Sequence, residues 1–300
     1  MQRNNVILVS LTLAALLGAV NTVQAADDMK GAVSTPDNMK DAVSTDSMVQ
    51  AAIESEAKDT TIGTENKDIQ NVKVNLANGE KIFKQGKGEV PACNSCHGPD
   101  GMGDDNLGTP RLAGQDLVYL IKELEDFAHD RRKDLTMMVM NFNAKGLSPQ
   151  DRVDVASYVN RLPVVHKELS NLKQLKANGK TVGSTYLGKA IVLYGVPEKN
   201  VPACQSCHQF NGRGAPPMYP QIGLQKYVYL TNQLKYWRTG SSDPSKGRAN
   251  DPLAQMRHVA DKLSDDDIAN VASYLITAPR TTMGNTFTPE SPIPVSFHSH

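Results

Sequence analysis

The chain has four cysteines, and all of them fall in two copies of one pattern. The first is Cys93-Asn-Ser-Cys96-His97 and the second is Cys204-Gln-Ser-Cys207-His208. Paired thiols at this spacing can close a disulfide, contribute to a zinc site, or add to activated carbon. A redox-active CxxC belongs in a strand–helix–strand setting, whereas here the flanks are helical and rich in Gly and Pro. A histidine follows the second cysteine both times, and that selects the third chemistry. Thiols three positions apart on a helical turn reach both vinyl-derived carbons along one edge of a porphyrin. The adjacent imidazole then presents itself to the iron. CxxCH is the attachment signature of c-type haem, and two copies predict two covalently bound haem c groups. Cys93, Cys96, Cys204 and Cys207 form the thioethers, with His97 and His208 on the irons.

A sixth ligand decides whether such an iron carries electrons or binds substrate. Methionine opposite histidine raises the reduction potential and closes the metal to small molecules. In the second copy Met218 stands only ten residues past His208, and Met283 lies beyond the last helix, which leaves Met256. The first copy offers Met137, Met138 and Met140. Repeat register separates them, because Met140 stands eight residues before Ser148 as Met256 stands eight before Ser264. Met140 and Met256 are the expected axial partners, and Met137 and Met138 are expected to pack. The remaining histidines lack a repeated position. His129 aligns with Thr239 and His258 with Phe142, while His166, His298 and His300 fall in linker and tail. Pro110 and Pro220 follow the motif histidines by thirteen and twelve residues. Each is either a loop breaker or a carbonyl acceptor for the imidazole N–H, which would fix the ring.

The elements that position these groups recur in order, as an internal duplication. Gly79–Gly86 answers to Gly188–Gly195, a short helix before each motif. The stretch from Pro110 to Phe127 aligns without a gap to that from Pro220 to Trp237. Leu117, Leu120, Leu124 and Phe127 recur at helical spacing, as do Tyr227, Leu230, Leu234 and Trp237. Ser148-Pro149 with Asp151, and Ser264 with Asp267, read as N-caps of a last helix. Val153, Ala156 and Val159 form one face of it, matched by Ile268, Ala272 and Leu275. No strand alternation appears, so the fold class is all-α with two tandem domains. Units of this size with few aromatics need a staple or cofactor to complete a core.

The expected organisation is a signal peptide over 1–25, a leader over 26–75, domain 1 over 76–165, a linker over 166–180, domain 2 over 181–281 and a Pro-rich tail over 282–300. Arg3, the apolar run Val6–Val20 and Val23-Gln24-Ala25 make the export signal, which places the mature protein in the periplasm. The stretch Asp27–Asn75 has ten acidic and five basic residues and no aromatics, a composition of disordered or loosely helical chain. Net charge is zero, and no basic groove with interleaved aromatics is present, so nucleic acid is excluded as a partner. The halves differ: Leu76–Pro163 holds 11 basic and 13 acidic residues, Lys180–Arg280 holds 12 and 7. Such a dipole would orient the two domains towards different partners, less so at high salt.

The motifs "CHGPDGMG" and "PRLAGQDLVYL", with Met eight before the "LS" cap, resemble the dihaem cytochrome c4 family over roughly Ala77–Pro279. The resemblance implies two class I cytochrome c domains related by an approximate two-fold axis, with haem propionate edges facing across the interface. It implies His97/Met140 and His208/Met256 as axial pairs. It implies a periplasmic carrier passing single electrons from respiratory donors towards a terminal oxidase or other acceptor, docking on a membrane respiratory complex and compatible with peripheral membrane association. The second motif departs from the family, reading "CHQFNGRG", and "QIGLQ" replaces "LAGQ". Two other classes compete with a carrier that is not an enzyme. One is the haem subunit of a dehydrogenase complex oxidising sulfide or alcohol; the other is a dihaem peroxidase, which needs an open iron.

Overall fold

The computed structural model describes residues 73–165 and 169–278, which fall in one compact unit. The expected signal peptide, the leader as far as residue 72 and the tail lie outside the described residues. The described chain is helical, with four isolated β-bridges and no strand. The first domain holds α1 (Leu76–Gln85), α2 (Asn94–His97), α3 (Leu117–Ala128), α4 (Val139–Lys145) and α5 (Pro149–Asn160). The second holds α6 (Leu172–Ala177), α7 (Thr185–Tyr194), α8 (Gln205–His208), α9 (Tyr227–Ser242), α10 (Gln255–Asp261) and α11 (Asp265–Leu275).

The last helix of each domain starts where the caps require. Ser148 and Asp151 exchange side-chain and backbone bonds in a capping box with Pro149 at the first helical position, and Ser264 and Asp267 repeat the box. The last helices, α5 and α11, cross α1 and α7 at a glycine. A Cβ on Gly79 would lie 2.1 Å from Asp154 O, and one on Gly188 would lie 1.8 Å from Asn270 O. Only a missing side chain allows the two backbones so close. Around these crossings sit the two cores. One joins Ile82 and Phe83 to Leu120, Ile121, Val153, Ala156 and Val159. The other joins Ile191 and Val192 to Tyr227, Leu230, Val271, Ala272 and Leu275. The segment read as a linker contributes to the second core: α6 carries Leu175, 5% exposed, into it.

The domains meet through like parts. Arg111 N–H donates to Gln225 Oε1 at 2.6 Å, and Gln225 Nε2 donates to Arg111 O at 3.0 Å. Gln221 N–H donates to Gln115 Oε1 and Gln115 Nε2 to Gln221 O, both at 2.9 Å. Arg111 with Gln221, and Gln115 with Gln225, are counterparts 110 residues apart. Reciprocal contacts of this kind define an isologous, two-fold interface. The buried Arg111 guanidinium adds bonds to Leu224 O and Gly223 O, each 3.1 Å.

Candidate metal centres

Each CxxCH motif forms one helical turn. Cys93 and Cys204 occupy the N-cap positions of α2 and α8 with helical backbone angles. His97 N–H donates to Cys93 O at 3.0 Å and His208 N–H to Cys204 O at 2.9 Å. The turn places two thiols and an imidazole on successive positions of one coil. No disulfide joins any of the four cysteines, against the disulfide reading. Burial pushes the Cys93 and Cys204 thiols up to about 11. Among the described residues no group of three or more His, Cys, Asp or Glu gathers as a metal cluster, so the donors of a closed zinc site are not assembled.

The loop after each turn folds back to hold the histidine. Gly101 O accepts from Leu112 and Ala113 N–H, and Gly212 O accepts from Ile222 and Gly223 N–H. This brings the two proline carbonyls to the rings: His97 Nδ1 lies 3.1 Å from Pro110 O, and His208 Nδ1 lies 2.9 Å from Pro220 O. A carbonyl can only accept, so Nδ1 carries the proton and Nε2 keeps its lone pair. Of the two readings open for these prolines, the structure selects the acceptor. Burial, only partly opposed by that bond, lowers both imidazole pKa values. Both rings are held neutral, in one tautomer, with a bare Nε2. That donor set, beside two unpaired thiols on the same turn, fits a covalently attached haem.

The candidate distal residues sit at matching places. Met138 and Ala254, both left-handed, precede α4 and α10, and Met140 and Met256 are the second residues of those helices. Both are half-buried. Different clips hold the two segments. In the first, Asn141 donates to Phe127 O and Arg132 O and accepts from Asp134 N–H. In the second, Arg257 donates through its N–H and Nε to Asp251. The expectation that Met137 and Met138 pack is corrected: they are 83% and 40% exposed. Chain direction at the left-handed turn before α4 turns both outward. Met102, which register did not single out, is buried, and its sulfur accepts from Val165 N–H at 3.4 Å. His129 lies over the C-terminal end of its own helix, bonded to Glu125 O, and His258 is exposed. His166, His298 and His300 lie outside the described residues, as does Met283.

The loops after the two motifs are not equivalent. Gly98 closes α2 with φ +78°, and Gln209 takes the same place in the second domain with φ +63° and ψ 171°. That region of backbone space is essentially reserved for glycine. The second centre therefore stands on a strained residue where the first does not. Sequence reading also passed over a cluster of buried charges on the interface side of α3 and α9. Its signal was available: Arg132 and Arg248 each stand eight residues before the candidate methionine.

A family model described as Cytochrome c matches the chain twice, over residues 76–163 and 198–279. A thiosulfate dehydrogenase electron acceptor from Stutzerimonas stutzeri (strain A1501) is 34% identical over 209 residues, covering 69% of this chain and 88% of the relative. Reduced cytochrome c4 from Pseudomonas stutzeri superposes with a TM-score of 0.53 at 29% identity, covering 69% of this chain and 100% of that one. The thiosulfate dehydrogenase TsdBA from Marichromatium purpuratum matches with a TM-score of 0.57 at 30% identity; 75% of this chain is covered but only 44% of that larger one. The chain belongs to the cytochrome c family, as two tandem cytochrome c domains with two covalently bound haem c groups at Cys93/Cys96 and Cys204/Cys207, an electron carrier of the dihaem cytochrome c4 kind.

Proposed function

We propose that the protein is a periplasmic carrier in which His97 with Met140, and His208 with Met256, ligate the two irons. The observation that carries this reading is the repeat itself. Both domains present an imidazole with Nδ1 tied to a proline carbonyl, and a methionine in the first turn of a short helix at one register. A bound c-type haem supplies reversible one-electron iron chemistry. The chain's residues do the rest. The proline carbonyls fix imidazole orientation and raise its basicity as a ligand. The Met140 and Met256 thioethers would hold the iron without a proton to lose, would favour the reduced metal and would leave no position for a substrate. No bond of a substrate is broken, which sets the protein apart from an enzyme. Among the described residues no helix is long and apolar enough to cross a membrane. The donors and acceptors are respiratory proteins, with a terminal oxidase as the expected sink.

A second reading is favoured by one observation. The Stutzerimonas stutzeri relative is named as the electron acceptor of a thiosulfate dehydrogenase. On that reading the carrier's donor is a dehydrogenase of an inorganic sulfur compound, in keeping with the dehydrogenase-complex alternative and with the sulfur rather than the alcohol side of it. The deciding experiment is a redox-titrated optical spectrum of the purified protein with and without carbon monoxide. Two c-type haems, each with the weak ferric sulfur-to-iron band and inert to carbon monoxide, are expected. Rapid carbon monoxide binding to the native protein sinks the carrier and favours a peroxidase.

A further inference from the structure

A buried polar cluster lies between α3 and α9, and its parts come in pairs. Tyr119 and Tyr229, Glu123 and Gln233, and Phe127 and Trp237 are counterparts 110 residues apart; Arg132 and Arg248 are counterparts in the segments leading to Met140 and Met256. Each guanidinium stacks on its own domain's aromatic ring, Arg132 over Phe127 at 4.5 Å and Arg248 over Trp237 at 4.2 Å. Each then reaches across. Arg132 Nη2 donates to Tyr229 Oη at 3.0 Å and Gln233 Oε1 at 2.9 Å. Arg248 Nη2 donates to Tyr119 Oη at 3.4 Å and to both Glu123 oxygens at 2.9 Å. Each also bonds within its own domain, Arg132 Nη1 to Glu123 and Arg248 Nη1 to Gln233 at 2.8 Å. Asn250 and Lys122 complete the surroundings of the carboxylate. The bonds of Arg132 and Arg248 to the two tyrosines and to Glu123 and Gln233 come in mated pairs. The two shared acceptors differ in charge, however, and Lys122 and Asn250, whose counterparts are Asn232 and Asp134, stand beside Glu123.

We infer that Glu123 is a positioning residue that sets the potentials of both centres together, by placing one ionised carboxylate between the two symmetry-related guanidiniums. The inference rests on the ligand reading above only in naming Met140 and Met256 as the ends of the tied segments. Glu123 is 6% exposed, with Arg132 at 7% and Arg248 at 5%, so counter-ions do not screen it. Burial alone would raise its pKa, but Arg248, Arg132 and Lys122 outweigh burial and hold the carboxyl well below its usual range. Glu123 bonds both arginines, and these are mates across the two-fold, so the charge sits close to the axis. A negative charge there stabilises the oxidised form of both centres and lowers both potentials. Geometry alone does not call for the charge, since Gln233 makes the equivalent bonds to both arginines with a neutral amide.

The test uses the full-length protein with both haems in place. Two variants are compared with wild type: Glu123→Gln, and the exchange Glu123→Gln/Gln233→Glu, which moves the carboxylate to the mirror position. Each is titrated for both midpoint potentials, and the ferric sulfur-to-iron band is recorded. Glu123→Gln is expected to raise both potentials in parallel with the band intact at both centres. The exchange is expected to return both towards wild type. The inference is overturned if Glu123→Gln moves neither potential, moves only one, or removes the band from one centre. It is also overturned if the exchanged protein keeps raised potentials. Should Glu123→Gln fail to mature, the exchange decides alone: wild-type potentials uphold the inference and displaced ones overturn it. A wild-type protein without the band refutes the methionine assignment instead, and the two potentials still report on Glu123.

Discussion

Replacing Gly188 by alanine tests how the second domain is held together. The added Cβ would lie 1.8 Å from Asn270 O, 2.5 Å from its carbonyl carbon and 3.0 Å from Tyr274 Cβ. Two of these three atoms are backbone, so no side-chain rotation relieves them. Ordinary contact begins at 3.4 Å, so α7 and α11 must separate by up to about 1.6 Å. A radial gap of ~1 Å already forfeits up to about half of each dispersion contact. Ile191 and Val192 lie in that seam against Val271, Ala272 and Leu275. Overpacking costs ~1–3 kcal/mol, and the partial loss of two aliphatic contacts adds ~1–2 kcal/mol. The better helix propensity of alanine returns ~1 kcal/mol. The net is a destabilisation of ~1–4 kcal/mol. Gly179→Ala is the matched control: φ is +74° and nothing lies within 4 Å, so only the left-handed backbone cost of ~1–2 kcal/mol remains. Guanidinium unfolding of the haem-loaded protein, followed by helical circular dichroism, separates them. Gly79→Ala should repeat the effect in the first domain, against Asp154 O. If Gly188→Ala costs no more than Gly179→Ala, the close crossing is not what the geometry says it is.

Three further outcomes are expected. Burial would raise the Asp151 carboxyl, but bonds from Lys87, Asn78 and Ser148 outweigh it and hold the pKa at about 2 against an ordinary 3.8. A depressed carboxylate stabilises the fold above pH 3.8 and loses that contribution as pH falls towards 2, here ~2 kcal/mol. Asp151→Asn should therefore lower first-domain stability by ~1–2 kcal/mol at neutral pH and flatten the acid limb between pH 4 and 2 in thermal melts; an unchanged acid limb counts against it. Gln209→Gly should stabilise the second domain by ~1–2 kcal/mol, because it removes strain at φ +63° and ψ 171°, and a fall in melting temperature would contradict this. Lys180 and Lys189 are exposed. Reversing both to Glu should weaken the ionic-strength dependence of electron delivery to an acidic protein acceptor, and an unaltered slope removes the second domain's charge from docking.

What the sequence disclosed and withheld divides along a physical line. The motif turns, the capping boxes at Ser148 and Ser264 and the faces carrying Val153 or Ile268 depend on neighbours three or four residues away, and periodicity records those. The pairing of Met140 with Met256 came from register between repeats, which substitutes for spatial information. Glu123, Arg132 and Arg248 went unnoticed because their burial depends on the other domain. Leu175 was lost in a segment too polar to read as core. Met137 and Met138 read as packing residues because apolar character was the only clue, and a left-handed turn at φ +61° faces them outward. The two proline carbonyls stood between reading and guess, since a backbone acceptor leaves no trace in residue type.

The reciprocal bonds of Gln115 and Gln225 carry one more consequence, which concerns dilution. An interface made of like parts is one that two separate chains could also form, and its occupancy would then follow protein concentration. Here both partners lie on one chain, joined through residues 164–171, and each sees the other at an effective concentration on the order of millimolar. The distance between the two haem-bearing domains is thereby independent of how many copies the compartment holds. A scarce protein keeps its centres as close as an abundant one.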